Sequence, residues 1–391
     1  MKKSNRFVIF NFCVMTVLFW FADYAFAPYL STYAYTMTNS AALVGLMLGS
    51  YGWAQLLLRI PMGIISDKLN NRRIFIQIGC IVNCLSALGL FLAPNIYVLL
   101  FCRMLNGAAV SVWVNLSVLF GSYFPPKDSV KAMSLLNSCN YGGQLLSGIA
   151  AIFVSAQFGI RATFLLAAVV GVVPIIFSFF LKDKPLDRKP LDIKELFAVG
   201  KTRWVLVISI MASISMFVNF GTTLGFTPQL AQRLGADETM LSLILIIFIS
   251  GGVVFSLLSN KLFVQPFGAR NSVIVLLTLQ AITAALQPFA SSLFWLYLLV
   301  ALNGIARGTV ISMLLGLIIK PFPYLKQAAA MGFYQAFYSI GIIIGPTVAG
   351  SFIAAFGLDM SFVICGAIGL TAPLLGLLFI QDERKYLPSY E

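Results

Sequence analysis

Long apolar runs, each broken by only a few polar positions, follow one another along almost the whole chain. A helix rises about 1.5 Å per residue, so roughly 17–25 apolar residues cross the hydrocarbon core of a bilayer. By that measure the runs near 7–30, 41–66, 74–93, 96–121, 130–157, 160–181, 204–230, 239–262, 271–290, 292–319, 327–355 and 358–380 predict twelve spans. Most connections are very short, Ala93-Pro94-Asn95 being one and Pro288 to Ser292 another. The stretch from Lys182 to Arg203 differs, being rich in Lys, Arg, Asp and Pro close to the middle of the chain. It separates a first six-helix bundle at 1–181 from a second at 204–391, with 182–203 as the linker. The expected fold class is an all-α membrane protein of twelve transmembrane helices in two six-helix bundles.

The two halves repeat each other at a displacement near 198 residues. Phe26-Ala27-Pro28-Tyr29-Leu30 returns as Phe226-Thr227-Pro228-Gln229-Leu230, and Leu105-Asn106-Gly107 as Leu302-Asn303-Gly304. Ala132-Met133 with Asn137 and Gly143 returns as Ala330-Met331 with Gln335 and Gly341. Phe158-Gly159-Ile160-Arg161 corresponds to Phe356-Gly357-Leu358-Asp359. Four matches in order make the halves a pseudo-two-fold repeat, an arrangement that places a substrate site near the bilayer midplane between the halves.

Composition agrees with lipid as the main solvent: 60% of the 391 residues are hydrophobic and 10% charged, with a mean hydropathy of +0.93. Soluble domains carry about a quarter charged residues. A net charge of +13 would suit a nucleic-acid partner, but its distribution excludes one. With both termini inside, twenty-one of the 26 Lys and Arg fall in cytoplasmic segments and two, Arg161 and Arg233, in external loops. That asymmetry is the positive-inside pattern of a multi-pass protein of the cell membrane with both termini cytoplasmic. Lys2, Lys3 and Arg6 followed by apolar residues, with Ala25-Phe26-Ala27 further on, resemble a signal peptide and its cleavage site. The run is long enough to span, however, and Pro28 follows the would-be cut, so it is read as a retained first helix.

Two features limit the chemistry. All six cysteines lie inside apolar segments without metal-ligand spacing, and histidine is absent. No metal or cofactor is therefore expected, and proton coupling has to use a carboxylate.

The loop after the second span reads Gly63-Ile64-Ile65-Ser66-Asp67-Lys68-Leu69-Asn70-Asn71-Arg72-Arg73. It resembles the loop signature of the major facilitator superfamily, departing from it at Asn70, where the family has glycine, and at Asn71, usually basic. Asparagine tolerates the left-handed backbone better than most residues, which keeps a tight turn available. Arg103-Met104-Leu105-Asn106-Gly107 in the fourth span resembles the family's second signature, whose arginine is associated with proton coupling. Gly341-Ile342-Ile343-Ile344-Gly345-Pro346 in the eleventh resembles the glycine-proline signature of antiporters, which those carry in the fifth span. Here the fifth span has Gly143 and Gly148 without the proline, and close helix packing explains the glycines equally well. The resemblance covers the whole chain and implies the fold and alternating access, with Asp67 and the basic residues Lys68, Arg72 and Arg73 latching the cytoplasmic side.

Ionisable residues inside spans are costly and mark function by default. There are four: Asp23, Arg59, Arg103 and Arg307. Asp23 is the expected coupling carboxylate, together with Arg103. Arg59 shares one face of the second span with Gly63 and Asp67 and is expected at the gate, with Gly341, Gly345 and Pro346. Arg307 has no counterpart in the fourth span, where the repeat places Val110, and is expected to bind substrate. Asn137 and Asn140, with Gln144, form a polar stripe on the fifth span. Gln335 and Tyr338 stand on the eleventh and Asn219 on the seventh. All are candidates for the transport path.

The expectation is a secondary active transporter moving a small organic solute, proton-coupled and acting as a monomer, its partners being substrate, lipid and coupling ion. No phosphate-binding loop is present to use ATP. Three intramembrane arginines against one aspartate favour an organic anion. Asp23 and an aromatic content of 14% instead favour a proton antiporter exporting lipophilic drugs. A membrane-embedded enzyme would need a nucleophile–base or metal constellation, and the chain offers none to the eye. A receptor would be a third class, without an extramembrane signalling domain to support it.

Overall fold

The structure, a computed structural model, describes residues 3–124, 129–183, 198–322 and 324–379. Most of the linker, 184–197, and the chain after 379 lie outside the described residues. No strand occurs among those described. Among the described residues, eleven helices are long and apolar enough to cross a membrane. They are α1 (Arg6–Tyr35), α2 (Ala41–Ser66), α3 (Arg72–Leu92), α4 (Ile96–Ser122), α6 (Arg161–Ser178), α7 (Arg203–Gly221), α8 (Glu238–Leu257), α9 (Lys261–Phe289), α10 (Leu293–Ile318), α11 (Ala330–Phe356) and α12 (Leu358–Phe379). The remaining one, α5 (Ser129–Phe158), has 30 residues and is long enough, but its stripe of Asn137, Asn140 and Gln144 dilutes its apolar character.

Several spans differ from their sequence outlines, most of them where proline or glycine interrupts the ladder of backbone bonds. The first span does not stop near 30. Its helix pauses at Tyr24, turns through Ala27–Tyr29 around Pro28, which has no N–H to give, and resumes over Leu30–Tyr35. The seventh is shorter than expected and ends at Gly221; a turn follows, then a short helix, Thr227–Arg233, with Pro228 in its first turn. The fourth breaks between Val110 and Trp113. The ninth begins earlier, with a wide turn over Asn260–Val264 leading into the α-helix at Gln265, and is interrupted at Gly268, whose φ of 75° a helix cannot hold. Asp237 starts α8 by accepting hydrogen bonds from the Thr239 hydroxyl (2.6 Å) and the Met240 N–H (2.8 Å), which hold its carboxyl below the usual range.

Packing sorts the chain into two compact units. One comprises Met1–Met37, Trp53–Pro190 and Asp237–Ile246; the other comprises Thr38–Gly52, Leu191–Ala236 and Ile247–Glu391. In the first, α1 lies against α5 and α6, and α3 against α4 and α6. In the second, α7 lies along α11, and α9 packs on α10 and α12. Its buried core includes Ile208, Met211, Val273, Leu276, Val310, Leu314 and Tyr334.

The repeat seen in sequence is visible as shared backbone geometry. A Cβ on Gly143 would stand 2.2 Å from the Val17 carbonyl oxygen, and one on Gly341 would stand 1.9 Å from that of Ser213. Only hydrogen fits at either crossing, so α5 touches α1 and α11 touches α7 backbone to backbone.

Asn70 is the described non-glycine residue with positive φ, at 49°. The left-handed turn expected there is present, and Asn71 caps α3 by accepting the Ile74 N–H. Asn70→Ala is expected to cost about 1 kcal/mol, because the left-handed conformation crowds Cβ against the carbonyl, and Asn70→Gly to cost nothing. Thermal unfolding in detergent measures the difference.

Candidate functional site

Asp23, Asn83, Arg103 and Asn106 come from α1, α3 and α4 and meet in the interior of the first unit, all buried. The Asn106 amide donates from Nδ2 to Asp23 Oδ1 at 2.7 Å and to Asn83 Oδ1 at 3.0 Å. Its Oδ1 accepts a hydrogen bond from Arg103 Nη1. Asn83 in turn donates to the Phe19 carbonyl on α1 at 3.0 Å. The Arg103 guanidinium also lies over the Phe26 ring, 5.8 Å from its centroid. Charged groups in such an interior need polar partners, and here one amide bridges acid and base. Asp23 and Arg103, expected to work together, are thus brought into one network; Asn83 and Asn106 were not singled out beforehand. Asn106 had a signal, since it belongs to the repeated Leu-Asn-Gly, whereas nothing marks Asn83 in the sequence.

The second unit carries the same scaffold without the charges. The repeat puts Asn303 where Asn106 stands, Gln280 for Asn83, Thr223 for Asp23 and Val300 for Arg103. Asn303 Nδ2 donates to the Gln280 carbonyl (3.0 Å) and the Thr283 hydroxyl (3.1 Å), and its Oδ1 accepts from Thr223 Oγ1 (3.4 Å). Gln287 Nε2 bonds Thr223 Oγ1 at 3.0 Å, and the Ser215 hydroxyl bonds Gln280 Oε1 at 2.8 Å. A neutral hydroxyl therefore replaces the carboxylate, and among the described residues these bonds join only hydroxyls, amides and carbonyls.

Arg307 is half-buried on α10 with its guanidinium 5.7 Å from the Phe248 ring centroid. Its Nε is buried and has no hydrogen-bond partner among the described residues. Asn219 donates to the Ser215 carbonyl at 2.8 Å, and its Oδ1 is likewise buried without a partner there. Asn137 and Asn140 are half-buried, and Gln144 Nε2 bonds Asn140 Oδ1 at 2.5 Å. Gln335 and Tyr338 are half-buried on α11, and Tyr338 meets the buried Tyr334 ring edge-on at 5.6 Å.

The expected gate residues fall into two groups. Arg59 is buried and bonds Gln55 Oε1 at 2.5 Å. Gly63 faces Val114, Lys68 is exposed, and the Asp67 side chain lies outside the described residues. Arg72 is buried. The Arg73 guanidinium donates to the Phe179 carbonyl at 2.7 Å, and its backbone N–H donates to Asp183 at 3.1 Å. Arg73 thus caps the end of α6, a contact between residues too distant in sequence for any motif to suggest. Gly341 and Gly345 lie at the α7–α11 crossing; a Cβ on Gly345 would stand 2.5 Å from the Phe217 carbonyl oxygen. The Pro346 carbonyl oxygen would stand closer still to a Cβ on Gly45 of α2, at 2.2 Å.

A further polar cluster escaped the sequence reading. The buried Tyr29 hydroxyl meets Ser155 Oγ at 2.8 Å and Ser242 Oγ at 2.6 Å, joining α1, α5 and the start of α8. Its repeat partner, Gln229, has both amide atoms buried without hydrogen-bond partners among the described residues.

Comparison with known proteins decides the family. The model of the Major Facilitator Superfamily matches residues 12–229 and 208–389, nearly the whole chain. The chain belongs to the major facilitator superfamily. It is a multi-pass membrane transporter and not an enzyme. Relatives within this superfamily include the "Multi-drug resistance efflux pump PmrA" of Streptococcus pneumoniae, 27% identical over 315 residues, covering 77% of this chain and 76% of that protein. A "Probable sugar efflux transporter" of Helicobacter pylori is 25% identical over 391 residues, covering 96% of each. Among solved structures, a bacterial homolog of the human lysosomal transporter Spinster, inward-facing and occupied, superposes with a TM-score of 0.78 at 16% identity, over 97% of each chain. A D-xylose-proton symporter gives a TM-score of 0.76 at 16% identity, over 96% of this chain and 98% of its own. At such identity the structural likeness concerns the fold.

Proposed function

We infer that this superfamily member is a proton-driven secondary transporter that exports a small organic solute, with Asp23 taking up and releasing the proton. The observation that carries the reading is the buried Asp23–Asn106–Arg103 network on α1 and α4, set against its neutral copy around Thr223 and Asn303. A carboxylate held inside a span and tied to an arginine can exchange one charge for another as it titrates. Export is supported by the names of the relatives, a multi-drug pump and a sugar efflux transporter. In this reading the halves 1–181 and 204–391 alternate access about the linker, both termini face the cytoplasm, and Asp67, Arg72 and Arg73 belong to the cytoplasmic latch. Purified protein in vesicles should move substrate against its gradient when a pH difference is imposed. It should stop when nigericin collapses that difference; accumulation that survives nigericin and instead follows sodium refutes proton coupling.

A second reading concerns the substrate's charge, and Arg307 is its observation. A guanidinium with an unoccupied buried Nε can grip a carboxylate or phosphate with two parallel bonds. Arg307→Lys keeps the charge but loses the fork. It is expected to weaken binding of an anionic substrate about tenfold, and Arg307→Ala more, in a titration of purified protein. Should the transported compounds be cations or neutral hydrophobes, with Arg307→Ala fully active, the drug-exporter alternative takes over.

A further inference from the structure

We propose that Asn106 is a positioning residue that sets the pH at which this transporter exchanges its proton, by holding Asp23 and Arg103 through opposite ends of one amide. The proposal rests on the reading of Asp23 as the proton-exchanging group. It goes beyond it by assigning the control of that group to a neutral side chain on another helix.

The amide is fully used. Nδ2 serves Asp23 (2.7 Å) and Asn83 (3.0 Å), while Oδ1 accepts from Arg103. Asn83 fixes which way the amide points: its own Nδ2 is committed to the Phe19 carbonyl, so its Oδ1 is left to accept from Asn106. With its oxygen turned to the guanidinium, the nitrogen of Asn106 has to face the carboxylate. A donor aimed at a carboxylate favours the ionised form, and a hydrogen bond to a charged group is worth more than one between neutral groups. Asn106 has 0% of its surface exposed, so in this structure the amide and not water serves the carboxylate.

Other titratable groups stand on the elements packed against α1. They are Arg72, Arg73, Cys80 and Cys84 on α3, Tyr97, Cys102 and Arg103 on α4, Lys131, Cys139 and Tyr141 on α5, Arg161 on α6, and Asp237 and Glu238 at the start of α8. Arg73 is engaged with Phe179, Arg161 with the Phe91 carbonyl and Cys84 with the Ala168 carbonyl, whereas Arg103 is tied to Asp23 through Asn106. The chain supplies its own control. Asn303 is equally buried in an equivalent network whose members are hydroxyls, amides and carbonyls. Its loss should damage packing to a similar extent and leave proton exchange alone.

The experiment follows pH-driven accumulation in vesicles as external pH is varied, for wild type, Asn106→Ser, Asn106→Gln, Asn303→Ser and Asp23→Asn. Asn106→Ser shortens the side chain so that its hydroxyl falls short of the carboxylate, the proton is held to higher pH and the midpoint should move alkaline by about one unit. The substrate KM at a saturating proton gradient should stay as in wild type. Asn106→Gln returns an amide and should bring the midpoint part of the way back, while Asn303→Ser should leave it unmoved. An unmoved midpoint in Asn106→Ser, or an equal shift in Asn303→Ser, overturns the proposal if Asp23→Asn has lost proton-driven accumulation. If Asp23→Asn itself behaves as wild type, it is the proton reading that fails. Where Asn106→Ser does not fold, Asn83→Ser carries the test: it frees the amide to turn, and the same alkaline shift, smaller, is expected, with no shift counting against the proposal.

Discussion

Asp23→Asn is expected to abolish accumulation driven by a pH gradient while leaving substrate exchange across the membrane measurable. Asparagine keeps the size and the Oδ1 acceptor that receives Asn106 Nδ2, so the network around it can stay assembled. It cannot bind or release a proton anywhere in the accessible pH range, and no histidine is present in the chain to substitute. Exchange of one substrate molecule for another moves no net proton and should persist; net uphill movement should fall to the equilibrium level. Transport of labelled substrate by vesicles, with and without an imposed gradient, separates the two. Concentration of substrate by the variant to the wild-type level would remove Asp23 from the mechanism.

Gly341→Ala should be the most damaging small substitution outside the polar networks. The new Cβ would sit 1.9 Å from the Ser213 carbonyl oxygen and 2.9 Å from the Phe217 nitrogen, both backbone atoms that no rotamer change can move. Overpacking of this kind costs typically 1–3 kcal/mol, and separating two helices belongs at the upper end. Gly143→Ala, against the Val17 carbonyl at 2.2 Å, should behave alike. Gly142→Ala is the matched control, since nothing lies within 4 Å of its Cβ. Yield and thermal stability in detergent should fall sharply for the first two and not for the third. Wild-type stability of Gly341→Ala would show that α7 and α11 can part without loss.

Much of the architecture was legible because a bilayer imposes a simple rule. Backbone groups in hydrocarbon have to bond within their own helix, so each span must be a continuous apolar run, and such runs can be counted. The repeated motifs carried over for a related reason: Gly143 and Gly341 both lie at crossings that admit only hydrogen, and the loop with Asn70 needs a residue that accepts a left-handed turn. Local steric demands of this sort leave their mark on the residue itself. Hence the loop and the fourth span by themselves carry the family resemblance.

The sequence by itself determined the helical membrane class, the repeat, and the short roster of ionisable residues inside the spans, because the penalty for a charge in lipid makes each one conspicuous. The tertiary structure decided which of them meet. Asp23 and Arg103 are joined by Asn106 across two helices, with Asn83 orienting the amide from a third, while Arg307 lies instead over Phe248. Neutral amides carry no such penalty when bonded and look alike wherever they stand in a chain, so their partners follow from helix rotation and crossing rather than from spacing. The same holds for Arg73 at the end of α6 and for Tyr29 between Ser155 and Ser242, contacts made by residues more than 100 positions apart. Their geometry is set by how the helices pack, which no single segment encodes.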